Sequence, residues 1–157
     1  MQNQHIHSIT IVGAGTMGNG IAHVCAMAGF PVKLMDSSEE QLRMALQTIE
    51  KNLTRMAEKQ KIKPIEVGAS LARIQTFTDT KQAVSGADMV LEVVPEQLSL
   101  KKQIWSQIEQ GIDSKRLKQT IFATNTSSIS ISELAEGITH PENMIGMHFF
   151  NPVPVMS

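Results

Sequence analysis

Short apolar runs and longer amphipathic stretches alternate along the chain. Ser8-Ile-Thr-Ile-Val12 is β-branched and runs into glycines, which reads as a strand. From Met17 to Ala28 apolar residues recur at helical spacing, Gly29 supplies the stop and Pro31 follows. Val32 to Met35 forms a second strand that ends at Asp36. Ser37 or Ser38 can cap the next helix, with Glu39 and Glu40 in its first turn. Leu42, Ala45, Leu46, Ile49, Leu53 and Met56 step by three and four, while Arg43, Lys51, Arg55 and Lys59 occupy the other face. This helical arm is longer than a crossover needs, and Pro64 and Gly68 punctuate its end.

Strand patterns continue at Arg73 to Phe77, Asp88 to Val94, Thr120 to Ala123 and Met144 to Phe150. Helical patterns lie between them, at Thr80 to Ser85, Leu100 to Gln110 and Ile131 to Glu136, with a polar stretch from Gly111 to Gln119. The run Met89-Val-Leu-Glu-Val-Val94 is nearly all apolar, as expected of a strand covered on both faces. Pro152 and Pro154 stop the last strand. Strict alternation of strands and helices predicts an α/β domain with a doubly wound, mainly parallel sheet of Rossmann type, carrying a long helical arm after the second strand.

Composition narrows the function. A length of 157 residues suits one domain, and an apolar fraction of 41% supports a real core. A net charge of −1 leaves no footprint for nucleic acid, and few aromatics are present to stack bases. No apolar run reaches the roughly 18 residues of a membrane helix. Cys25 is the sole cysteine and sits in an apolar helical run, so it reads as a small core residue in a reducing, cytoplasmic setting. His5, His7, His23 and His140 show no metal-ligand spacing, and no metal is expected.

Gly13-Ala-Gly15-Thr-Met-Gly18 matches G-x-G-x-x-G between a strand and a helix, the context that gives this short motif meaning. The first glycine permits the tight turn, the second lets a pyrophosphate approach the backbone, and the third lets helix and strand pack closely. The helix start then offers free N–H groups and a positive dipole end to phosphate. Asp36 closes the second strand 18 residues after Gly18, where a carboxylate can bond ribose hydroxyls and repel the 2′-phosphate of NADP. The next basic residue along the chain is Arg43. NAD is therefore the expected cofactor.

The segments Gly13–Gly18, Asp36, Asp88-Met-Val-Leu-Glu-Val-Val-Pro-Glu96, Thr124-Asn-Thr-Ser-Ser128 and Gly146-Met-His-Phe-Phe-Asn-Pro-Val-Pro154 resemble, in sequence and order, the L-3-hydroxyacyl-CoA dehydrogenase family. The resemblance covers nearly the whole chain and lies with the stand-alone enzymes more than with multifunctional fatty-acid oxidation proteins. It implies interconversion of 3-hydroxyacyl-CoA and 3-ketoacyl-CoA by hydride transfer, with His148 as the base. An imidazole of pKa about 6.5 suits that role near neutral pH. The resemblance further implies that Ser127 contacts both cofactor and substrate, that Asn151 lies near the nicotinamide, and that Glu96 and Lys101 contact the cofactor. Lys59 on the arm matches a CoA-contacting lysine, although Asn52 stands where the family often has Ser.

The family's acid partner for the histidine lies twelve residues after it, which here falls past Ser157. The expectation is that residues 1–157 are an NAD-binding domain truncated at its C-terminal end. The family's helical domain, which completes the acyl-CoA site and makes the homodimer, would then be absent and the fragment weakly active or inactive. A non-catalytic dinucleotide module is one alternative. Another is a β-hydroxyacid dehydrogenase of 6-phosphogluconate type, which shares the Thr16-Met-Gly18 start but lacks His-Phe-Phe-Asn-Pro.

Overall fold

The computed structural model describes residues 5–155. They form a six-stranded sheet of order β3-β2-β1-β4-β5-β6, every pair parallel. The strands are β1 (Ile9–Val12), β2 (Val32–Met35), β3 (Ile74–Phe77), β4 (Met89–Glu92), β5 (Ile121–Thr124) and β6 (Met144–Gly146). Helices α1 (Thr16–Met27), α2 (Glu39–Glu58), α3 (Pro64–Ala72), α4 (Thr80–Val84), α5 (Leu98–Gly111), α6 (Ser114–Leu117) and α7 (Ile131–Ala135) make the crossovers. The strand order reverses beside β1, so a crevice opens there at the carboxyl ends of the strands.

The sheet is covered on both faces because alternate strand residues point opposite ways. Ile9 and Ile11 of β1 join Ile21, Leu34, Ile49 and Leu53 in one core. Val12 faces the other core, with Val90, Trp105, Ile108 and Phe122. On that second face Thr10 satisfies its buried hydroxyl by donating to the Ala83 carbonyl at 3.0 Å.

The arm is α2, capped by Ser38, whose side chain accepts from Gln41 N–H. Of the expected stripe, Leu42, Ala45, Ile49 and Leu53 are buried. The arm differs from expectation at its end. Pro64 does not close it but opens α3, with Gly68 inside that helix. Proline is favoured at a first helical position because the missing N–H has no intrahelical partner there. Glu66 reaches back to accept from the Lys63 N–H at 2.7 Å. The polar stretch after α5 similarly holds the single turn α6, capped by Asp113.

Two strands are shorter than expected, each because a side chain takes over a backbone bond. After β4 the Glu92 carboxylate accepts from Val94 N–H at 2.8 Å, turning the chain away from the ladder. After β6, Met147 N–H still reaches the Thr124 carbonyl, but Phe149 N–H donates to the Asn125 side chain at 2.7 Å. His148 therefore lies just beyond the strand, at the mouth of the crevice.

Candidate functional site

The glycine turn is built for close approach. Gly13 holds φ +114°, and a Cβ there would lie 2.7 Å from the Val93 carbonyl oxygen, so both conformation and space require glycine. A Cβ on Gly18 would overlap the Gly13 carbonyl, which fixes how tightly α1 packs on the turn. Gly15 differs from both: a Cβ there would meet nothing within 4 Å. Its bareness serves no packing within the domain, which leaves space for a ligand. Gly15 is also the N-cap of α1 and has no side chain to answer the first-turn N–H groups, whereas Ser38, Asp79 and Ser130 cap α2, α4 and α7. An anion at α1 would meet unpaired donors and the positive end of the helix.

Asp36 follows β2 beside this turn. One carboxylate oxygen accepts from Ala14 N–H at 3.0 Å and the other from Ser38 N–H at 3.0 Å. Each oxygen keeps a second lone pair, and Asp36 lines the crevice, so it can accept from two ribose hydroxyls without giving up its anchors. Gln41 closes the same corner by donating to the Ala14 carbonyl at 3.2 Å.

Across the crevice, Glu96 binds the loop after β5. Its Oε1 accepts from the Thr126 hydroxyl, the backbone N–H groups of Ser127, Ser128 and Ile129, and the Ser128 hydroxyl. Partial burial works against its ionisation, but the Thr126 and Ser128 hydrogen bonds and the charge of Lys101 prevail and hold its pKa down to about 2. Ser127 is thereby held at the crevice wall. Lys101 lies behind that wall: it is 1% exposed and donates to Glu92 Oε1 at 2.7 Å.

His148 and Asn151 occupy the far edge of the crevice, both exposed. The His148 ring leans on Phe150, centroids 4.7 Å apart. Among the described residues neither His148 ring nitrogen has a hydrogen-bond or carboxylate partner, so its tautomer is not fixed.

Gly13, Gly15, Asp36, Glu96, Ser127, His148 and Asn151 thus share one open cleft of about 1390 Å³. That exceeds the roughly 300–1,000 Å³ typical of small-ligand pockets, as an extended ligand requires. Gly18 supports the turn from beneath. Lys59 caps the far end of α2, away from the cleft. Glu92, Asn125 and Gln41 are the residues that motif reading missed. For Glu92 a signal existed, since a charge inside an apolar strand must be paired when buried. Lys81 of α4, remote from Asp36 in sequence, also lines the cleft.

A parallel sheet of this order, a glycine turn bare toward solvent and an acid at the end of β2 define a dinucleotide-binding α/β protein. Residues 8–157 match the family model described as 3-hydroxyacyl-CoA dehydrogenase, NAD binding domain. The chain is 38% identical over 156 residues to the mitochondrial hydroxyacyl-coenzyme A dehydrogenase of Rattus norvegicus, covering 96% of this chain and 48% of the relative. Its fold is similar to that of 3-hydroxybutyryl-CoA dehydrogenase from Escherichia coli K12, with a TM-score of 0.91 at 38% identity over 97% of this chain and 31% of the other. The (S)-3-hydroxybutyryl-CoA dehydrogenase of Ralstonia eutropha gives a TM-score of 0.90 at 40% identity, covering 97% and 52%. The chain belongs to the family of 3-hydroxyacyl-CoA dehydrogenase NAD-binding domains, and its cofactor is NAD. It spans about half the length of the rat relative.

Proposed function

We propose that this chain is the cofactor-binding part of an oxidoreductase that interconverts (S)-3-hydroxyacyl-CoA and 3-ketoacyl-CoA. One observation carries the reading: four strand ends bring Gly15, Asp36, Ser127, His148 and Asn151 to one cleft, cofactor groups at one side and a free imidazole at the other. NAD bound there supplies the hydride acceptor, or donor in reverse, for the substrate carbon.

The chain's own residues do the rest. The α1 N-terminus and Gly15 receive the pyrophosphate, and Asp36 the adenosine ribose. Asn151 would hold the nicotinamide end of bound NAD, with Glu96 on the opposite wall of the cleft and Lys101 behind it. Ser127 donates a hydrogen bond to the substrate oxygen. His148 takes the hydroxyl proton in oxidation and returns it in reduction, its imidazole being suited to proton transfer near neutral pH. Lys59, on the arm, contacts the CoA. A helical second domain completes the acyl-CoA site and forms the homodimer of the whole protein. A cytoplasmic setting accords with the single, partly buried Cys25, whose thiol burial pushes up to about 11, far from the reactive range.

The test is acetoacetyl-CoA added to the NADH-saturated chain, watched by NMR at the His148 ring and by product analysis. A shifted imidazole resonance and slow formation of (S)-3-hydroxybutyryl-CoA are expected. An unmoved resonance with no product rejects the reading.

A further inference from the structure

The charges behind the cleft wall form a connected series. Glu92, at the end of β4, is completely buried. Its Oε1 accepts from Lys101 at 2.7 Å and from Val94 N–H at 2.8 Å, and its Oε2 accepts from the Thr124 hydroxyl at 2.7 Å. The Lys101 ammonium also donates to the Val94 carbonyl at 3.2 Å and lies 3.4 Å from Glu96 Oε2. An ammonium has three protons. Two of them go to Glu92 and the Val94 carbonyl, Glu96 Oε2 lies at ion-pair distance, and the side chain is 1% exposed. Lys101 therefore presents almost no surface to the cleft.

What Lys101 can do is aim Glu96. With Oε2 directed to the ammonium, Oε1 faces the loop after β5 and gathers the N–H groups of residues 127, 128 and 129. The two crossover loops that close the cleft, after β4 and after β5, are thus tied to one buried cation. A buried ion pair is a poor device for stability, because desolvation consumes much of the attraction, but it can fix a geometry. We propose that Lys101 is a positioning residue: held by Glu92, it orients Glu96 and, through Glu96, the loop that presents Ser127 to the cofactor. The proposal rests on the reading of the cleft as the NAD site.

Lys101→Met alone would strand the Glu92 charge in the core, so the informative variant is E92Q/K101M, which removes both charges together. NADH affinity is measured by calorimetry, and amide hydrogen exchange is followed in the cofactor-free chain, with the β1 amides as internal reference. Outer partners that orient the ligands of a metal site are worth about 10–100-fold in affinity, and the low end of that range is expected for a cofactor held by many other contacts. E92Q/K101M should lose about tenfold, exchange faster at residues 127–129 and stay unchanged in β1. Adding Glu96→Ala should then cost less than about twofold more, because both changes cut the same connection. Glu96→Ala alone, at the exposed end of the series, must accelerate the same amides, which keeps the test open if the double variant does not fold.

Weaker binding with unaltered exchange at 127–129 would mean direct contact between Lys101 and the cofactor, and would overturn the proposal. Acceleration throughout the sheet, full additivity with Glu96→Ala, or unchanged affinity would overturn it too. Failure of the unmodified chain to bind NADH would reject the cofactor reading itself, while the exchange comparison would still decide whether Lys101 holds the loop.

Discussion

The two ends of the cleft are organised differently. At the β1–β2 end every functional group is fixed by backbone: the Gly13 N–H donates to the Met35 carbonyl at 2.8 Å, and both Asp36 oxygens accept main-chain N–H groups. At the β6 end His148 and Asn151 are exposed, and the imidazole nitrogens have no partner among the described residues. The first region is preorganised for a ligand, whereas the second holds a reactive group without the contacts that would orient it. Binding and chemistry should therefore separate when residues 1–157 are studied by themselves.

The widest separation is expected in turnover. A histidine base that becomes imidazolium needs a partner on its other nitrogen, and loss of such a partner costs about 10⁴ in rate in a serine protease. Residues 1–157, assayed with NADH and acetoacetyl-CoA, should turn over about 10⁴-fold more slowly than a full-length relative while still binding NADH. Comparable turnover would mean that the exposed His148 suffices as it stands. At the other end of the cleft, Gly15→Val should weaken NADH binding at least about 100-fold with the circular dichroism spectrum unchanged, since the new side chain enters empty space. Gly18→Val is the contrast: its side chain would strike the Gly13 carbonyl, so the fold itself should fail. Similar behaviour by the two variants would erase the distinction between a ligand glycine and a packing glycine.

Smaller effects sharpen the same contrast. His148→Ala should leave NADH affinity within about twofold, because cofactor binding is settled at the other end. The loop after β5 should respond to acid. The pKa of Glu96 is held down to about 2, below the ordinary carboxylate value, so its ionised form is favoured by the native loop. That contribution is complete above about pH 4.3, the unperturbed value, and is lost as pH falls toward the folded value. Amide exchange corrected for its intrinsic pH dependence should show residues 127–129 loosening only in that window. Loosening near neutral pH would remove Glu96 from its place as the anchor.

The parts legible in the sequence are those governed by local rules. Strand and helix alternation, the glycine turn and Asp36 each depend on short-range chemistry, and the alternation already implies the parallel sheet. Helix α3 was hidden because Pro64 and Gly68 read as punctuation, and whether a proline ends one helix or begins the next depends on the flanking caps. The strand ends at Glu92 and Gly146 were not legible, since side chains compete for backbone N–H groups there, Glu92 for that of nearby Val94 and Asn125, from the loop after β5, for that of Phe149. Lys101 shows the same limit at the site. Its spacing from Glu96 suggests a surface pair, and only the packing of α5 on the sheet buries it against Glu92.

The central claim, a cleft that selects NAD through Asp36, is tested most directly by titrating the chain with NADH and NADPH side by side, before and after Asp36→Ala. A second anion placed about 4 Å from the Asp36 carboxylate costs about 1–4 kcal/mol, depending on how much water screens it, and the ribose bonds are lost in addition. Lys81, also on the cleft wall, is the cation that could offset this cost. The account predicts that NADH binds at least tenfold more tightly than NADPH and that the gap narrows in Asp36→Ala. Equal or tighter binding of NADPH by the unmodified chain would contradict it.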